Sequence, residues 1–262
     1  MRQADNLMAE RPVTERLTGK VIMITGAASG IGAAIARRCV AEGASVVCAD
    51  HSSDAATNLA EALGTAAMAV RCDVTDQRSM ERAVEAVRAR FGRLDGLVHN
   101  AAAPSLDGTV VDLSEEQWRL EIDVSLTGAF LASKFSIPLM ISGGGGSIVL
   151  IASQFGHVAT RKAVAYCAAK AGLIHLAKAM AVDHAADGIR VNSLSPGAVA
   201  TPRLLQRWPD LVAANESLGP AHLLGRIGQP DEIAAVAAFL LSSDASFVTG
   251  TDLLVDGGYA TR

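Results

Sequence analysis

Aromatic residues are scarce, at 4% of the 262 positions. A chain so poor in Phe, Tyr and Trp builds its core from Ala, Val, Ile and Leu. That is the composition of buried parallel strands and the helices that cover them. Cysteine is sparse too. Cys39, Cys48, Cys72 and Cys167 match no metal-ligand spacing and no disulfide framework. They read as small apolar residues in the core, Cys167 included despite its place beside Tyr166. Charged residues make up 19% of the chain, with a net charge of −4 and no basic stripe. This argues against nucleic acid as a partner, and the apolar content is too high for general disorder. No run of about 18 apolar residues occurs, so no membrane span is expected. The opening stretch MRQADNLMAERPVTERL lacks the apolar segment of a secretory signal. Residues 1–16 read as a polar leader, and a cytoplasmic location is expected. His51, His99, His175, His184 and His222 are scattered, so no metal is assigned.

What is present is a regular alternation. Short β-branched runs begin at Val21, Ser45, Met68, Leu94, Ser147, Arg190 and Asp252, with Ala-rich helical stretches between most of them. Such repetition implies an α/β fold: one Rossmann-type, doubly wound sheet of about seven parallel strands with helices on both faces. Residues 17–262 are expected to form a single domain. Ligands on such sheets lie beyond the carboxyl ends of the strands. Thr25, Asp50, Asp73, Asn100 and Ser153 all fall at those ends. Residues 202–224 break the alternation with three prolines, two arginines and a tryptophan. They read as an insertion over the site, a candidate substrate lid.

The segment Thr25-Gly26-Ala27-Ala28-Ser29-Gly30-Ile31-Gly32 joins the first strand to the first helix. Gly26 takes dihedrals closed to other residues. Gly30 admits a pyrophosphate close to the backbone, and Gly32 allows close packing of helix on strand. The free N–H groups of the helix start then face the phosphates. The spacing has one residue more than the generic G-x-G-x-x-G pattern. Asp50 follows Gly26 by 24 residues. A carboxylate there accepts ribose hydroxyls and repels a 2′-phosphate, which favours NAD over NADP. A plain turn-capping acid is the simpler alternative.

Tyr166 and Lys170 are four residues apart in a helical stretch, Ala165 to Ala185, and share one face. A free phenol, with a pKa of about 10, is a poor base at neutral pH. A nearby ammonium favours the phenolate. Ser153 lies 13 residues upstream, past the fifth strand, where its hydroxyl can hold a substrate oxygen while Tyr166 exchanges a proton.

With these residues in hand, the chain resembles the short-chain dehydrogenase/reductase family, in the branch with Thr-Gly-x-x-x-Gly-x-Gly and Tyr-x-x-x-Lys. The likeness runs from about Leu17 to the C-terminus. It includes Asp73-Val74, the loop Asn192-Ser193-Leu194-Ser195-Pro196-Gly197-Ala198-Val199-Ala200-Thr201, Gly228-Gln229-Pro230 and Val255-Asp256-Gly257-Gly258. The resemblance implies that Tyr166 is the general acid/base, Lys170 binds the nicotinamide ribose and lowers the tyrosine pKa, and Ser153 orients the carbonyl. It implies adenine contacts at Asp73 and Val74. A cofactor role is expected at Gly26, Ser29, Gly30, Ile31, Gly32, Asp50 and Asn100, at Tyr166 and Lys170, and in the loop at Pro196, Gly197, Val199 and Thr201. It further implies a homotetramer acting on a small alcohol or ketone.

Two positions depart from the family pattern. Asn-Asn-Ala-Gly becomes His99-Asn100-Ala101-Ala102, and the catalytic Asn becomes Ser125. A serine hydroxyl can hold a water of the relay to Lys170, or simply fill the space. Substrate choice falls to Gln154, His157, Arg161 and the lid. Arg203 and Arg207, one helical turn apart there, are placed to grip an anionic group, with solvated surface arginines as the alternative. Two further readings remain: an NADP-dependent 3-oxoacyl-type ketoreductase, and a catalytically silent NAD-binding module.

Overall fold

A computed structural model describes residues 15–104 and 107–261. The expected leader therefore lies outside the described residues, apart from Glu15 and Arg16. Arg16 is tied to the fold: its guanidinium donates to both carboxylate oxygens of Glu42, at 2.8 and 2.6 Å.

Seven strands form one parallel sheet: β1 Val21–Thr25, β2 Ser45–Asp50, β3 Ala67–Arg71, β4 Gly96–His99, β5 Gly146–Ile151, β6 Ile189–Pro196 and β7 Asp252–Val255. Their order is β3-β2-β1-β4-β5-β6-β7. The chain winds outward from β1 to β3, then returns to β4 on the other side of β1. The crevice beyond the ends of β1 and β4 is thus the switch point where such sheets bind ligands. One face carries the helices α1 Gly30–Ala41 and α8 Pro230–Leu241, with α2 Ser53–Leu63 beside them. The other carries α3 Gln77–Phe91, α5 Gly128–Ser142 and α6 Val164–His184. Both cores are aliphatic. Met23, Val47, Leu97, Ile148 and Leu150 face α3, α5 and α6; Ile22, Ile24, Val46, Val98 and Val149 face α1 and α8. Alternate residues of each strand thus serve opposite layers.

The strand expected at Arg190–Asn192 runs on to Pro196. Its continuation looks polar, yet Asn192, Ser193 and Ser195 are fully buried. Neighbouring groups satisfy two of them. Asn192 Nδ2 donates to Val248 O at 2.9 Å, and Ser195 Oγ donates to Asp252 Oδ1 at 2.8 Å. The Ser195 bond ties β6 to β7 at the sheet edge, and the Asn192 bond holds the segment that leads into it.

A short helix, α4 Glu115–Ile122, passes through a π-helical turn at Asp123–Thr127 into α5. A capping box between Ser114 and Gln117 starts it. The continuous helix Glu115–Ser142 is long and apolar enough to cross a membrane, but 56% of its apolar window is buried inside the domain. It serves as a core helix.

Residues 202–224 contain a 3-10 turn at Leu204–Gln206, the helix α7 Leu211–Leu218 and a second 3-10 turn at Gly219–Ala221. The two ends of the insertion are clasped. Gly228 N–H donates to Ala198 O at 2.8 Å, and Ala200 N–H donates to Gly228 O at 2.9 Å.

Candidate active site

The glycine turn is held by its neighbours on β4. Asn100 Nδ2 donates to Gly26 O at 2.8 Å. The Thr25 hydroxyl accepts from the N–H groups of Asn100 and Ala101 and pairs with His99 Nδ1 at 3.1 Å. The residue expected to contact cofactor at Asn100 therefore shapes the turn. Gly26 has φ +63°, and a Cβ there would sit 2.8 Å from Ala101 Cα. At Gly32 a Cβ would lie 2.2 Å from Gly26 O. Its role is sharper than helix-on-strand packing: it lets the turn close on itself. Gly30, at φ +53°, faces Thr201 across a gap that a Cβ would narrow to 3.3 Å, so the two expected cofactor loops meet here.

The start of α1 is open to an anion. Ser29 makes no side-chain capping bond, and no acid lies in the first turn. Ile31 follows within that turn. Asp50 ends β2 and is buried. Its oxygens accept from Ala28 N–H and Ser52 N–H, each at 3.0 Å, so the acid also braces the glycine turn. Asp73 accepts from the N–H and hydroxyl of Thr75, which hold its carboxyl below the usual range. Val74 is buried against Gly128 at the start of α5. The loop after β6 is fixed through His222, whose Nδ1 bonds Leu218 O at 3.0 Å while Nε2 accepts from Ala198 N–H at 3.2 Å. Val199 bridges to Gly228. A Cβ on Gly197, which follows Pro196, would strike Asp256, His222 and Gln154. Gln154 Oε1 is buried without a hydrogen-bond partner among the described residues. An uncapped helix start, glycines at the closest approaches and an orphaned amide oxygen all suit a dinucleotide.

Ser153, Tyr166 and Lys170 come together at the edge of the same crevice. Ser153, just past β5, is buried and accepts from Phe155 N–H at 3.1 Å. Lys170 is buried and donates to Ile151 O at 2.8 Å. Its Nζ lies 5.6 Å from the centre of the Tyr166 ring, and the Arg203 guanidinium lies at the same distance. Burial drives both partners toward their neutral forms. It pushes Lys170 down to about 8, with Glu121 opposing and Arg203 reinforcing. Tyr166 keeps some exposed surface, yet burial still raises its phenol, and the Ser153 hydrogen bond and Arg203 pull it back. In the protein alone, then, the phenol is not lowered as the resemblance implies.

Ser125 is fully buried in the π turn, and its Oγ donates to Glu121 Oε1 at 2.7 Å. It does more than fill space. Glu121 escaped the sequence reading because it is one acid among several in EEQWRLEI, and only tertiary packing buries it. His99 also turns inward. Burial pushes its imidazole down to about 3, Lys170 pushes the same way, and the backbone of Ser125 and Val124 opposes. Neither closes a hydrogen bond on Nε2.

The residues expected to choose substrate divide. His157 bonds Asp252 at 2.8 Å and is spent on the sheet edge. Arg161 is exposed. Arg203 and Arg207 do not act as a pair: Arg203 lies over Tyr166, whereas Arg207 bonds Asp107 in the loop after β4. Cys39, Cys48 and Cys72 are buried, their thiols raised to about 12, 11 and 12 chiefly by burial, which leaves them unreactive.

A short-chain type dehydrogenase/reductase from Mycobacterium marinum matches with a TM-score of 0.89 at 34% identity, over 95% of this chain and 98% of that one. The family model described as Enoyl-(Acyl carrier protein) reductase matches residues 26–260. The chain belongs to the short-chain dehydrogenase/reductase family. Two relatives within it are the D-threitol dehydrogenase of Mycolicibacterium smegmatis and the cyclohexanol dehydrogenase of Acinetobacter sp. (strain SE19). The first is 40% identical over 94% of this chain and 95% of its own. The second is 38% identical over 97% of this chain and all of its own. As a short-chain dehydrogenase/reductase the protein is an oxidoreductase with a nicotinamide cofactor and a small-molecule substrate.

Proposed function

We propose that the protein oxidises a secondary alcohol to its ketone, or the reverse, with NAD as the cofactor of choice. The observation that carries this reading is the convergence of Ser153, Tyr166 and Lys170 on the crevice that also holds the glycine turn. When bound, the nicotinamide accepts or gives the hydride. Tyr166 takes the hydroxyl proton in oxidation and returns it in reduction. Ser153 holds the reacting oxygen, and Lys170 steadies the phenolate. Ser29, Gly30, Ile31 and Gly32 receive the phosphates, Asp50 the adenosine ribose, and Asp73 and Val74 the adenine. Pro196, Gly197, Val199 and Thr201 border the nicotinamide. Residues 17–262 act as one catalytic domain, with 202–224 as its substrate lid. D-threitol and cyclohexanol share the CH–OH group and little else, which is why the substrate class is set at the secondary alcohol.

The test is the rate of NAD reduction over linear diols, sugar alcohols, cyclic alcohols and hydroxy acids, repeated with NADP. At least one alcohol should turn over, and kcat/KM should favour NAD by tenfold or more. A preference for NADP would return the ketoreductase reading, against which Asp50 stands. Silence with every alcohol and ketone would return the binding-module reading, against which the three gathered residues stand.

The family expectation of a homotetramer has support in exposed apolar side chains. Trp118 and Leu120 on α4, Phe130 and Ile141 on α5, and Phe247 and Leu254 around β7 all face outward. Phe130→Asp and Phe247→Asp should each lower the mass measured by sedimentation. A monomeric wild type would end the idea. Four unpaired cysteines suit the reducing cytoplasm.

A further inference from the structure

On α4, which packs against the helix of Lys170, lies a buried acid that the reaction scheme above does not use. Glu121 is 1% exposed, whereas Glu115 and Glu116 on the same helix lie at the surface. A buried carboxylate is costly unless charge or hydrogen bonds compensate it. Here the bond comes from Ser125, one helical turn on, at 2.7 Å. The two residues flank the start of the π turn, and such turns recur at functional sites. Both α4 and the π turn pack directly against α6, the helix of Tyr166 and Lys170.

The surroundings give the acid a purpose. Of the charged groups, Glu121 favours the protonated amine and Arg203 opposes it, and Glu121 also disfavours the Tyr166 phenolate. Tyr166 lies one turn away on α6, and Arg203 covers its ring. On the sheet side His99 is held neutral by burial. The amine itself is anchored to Ile151 O. We propose that Glu121, oriented by the Ser125 hydroxyl, is the counter-ion of Lys170 and a positioning residue for proton exchange at Tyr166. It acts through space, without touching substrate or cofactor.

The inference rests on the oxidoreductase reading for its meaning, but its first test needs no turnover. The chain has five lysines, and Lys170 is the buried one. With 15N-labelled lysine, its amine can be titrated by NMR in the free protein. The wild-type midpoint is expected near about 8. In Glu121→Gln it should fall by at least one pH unit, a tenfold loss of proton affinity, and in Ser125→Ala it should fall by less. A purely structural acid would lower thermal stability and leave the midpoint in place. In parallel, kcat at pH 7 should drop at least about twofold in Glu121→Gln with KM little changed, because a midpoint that falls one pH unit from about 8 takes the charged fraction of Lys170 from about nine-tenths to half. An unchanged Lys170 midpoint in folded Glu121→Gln overturns the proposal. If that variant does not fold, an unchanged midpoint in Ser125→Ala does so. A wild type inert toward every alcohol would remove the oxidoreductase reading, while the titration would still decide whether Glu121 supports the charge.

Discussion

Tyr166→Phe is expected to lower kcat by about 10²–10⁴-fold, the usual contribution of a general acid/base. The change deletes one hydroxyl and keeps the ring that Lys170 and Arg203 flank, so the fold and cofactor affinity should survive. The wild-type pH dependence follows from the same group. Tyr166 serves oxidation as a base, which requires the phenolate, and burial raises the phenol in the free protein. Alcohol oxidation should therefore quicken as pH rises toward about 8, above which Lys170 loses the charge that steadies the phenolate. Ketone reduction, which needs the protonated phenol, should slow. A variant that keeps more than a tenth of wild-type kcat, with cofactor affinity unchanged, would remove Tyr166 from the chemistry.

Gly32→Ala should cripple the nucleotide site without touching a catalytic side chain. Its Cβ would lie 2.2 Å from Gly26 O and 2.6 Å from Asn100 Nδ2. The obstacle at Gly26 is backbone, so the turn itself must open. Overpacking of this sort costs about 1–3 kcal/mol, and here it also breaks the Asn100 bond that shapes the turn. The expected result is a rise of tenfold or more in the dissociation constant for NAD, read by quenching or calorimetry, together with a lower melting temperature. Wild-type affinity in this variant would mean that the glycine turn is not the phosphate cradle.

The fold was legible because its signals are local. Each β-branched run up to Ile151 became a strand within two residues of its expected place, and Asp252–Val255 matched fully. β6 was under-read because Asn192 and Ser195 look like loop residues until their partners on the neighbouring segment are known. The proximity of Ser153, Tyr166 and Lys170 was legible because Tyr166 and Lys170 share a helix face and Ser153 sits at a strand end. Glu121 was not, since burial of a single acid depends on α6 packing over it. Nor was the parting of Arg203 from Arg207, which depends on where Asp107 lies. Burial of the Tyr166 phenol, which raises it in the protein alone, was not legible for a related reason: a neighbouring ammonium is visible in a sequence, but desolvation is not.

The clasp between Ala198, Ala200 and Gly228 has an evolutionary consequence. The insertion leaves and rejoins the framework at one point, so its length can change at small entropic cost while the strands beneath keep their register. If it is the substrate lid proposed above, new substrate preferences can arise in it without disturbing Ser153, Tyr166 and Lys170. Divergence within such a lineage would then accumulate between those two anchors, leaving the crevice floor almost still.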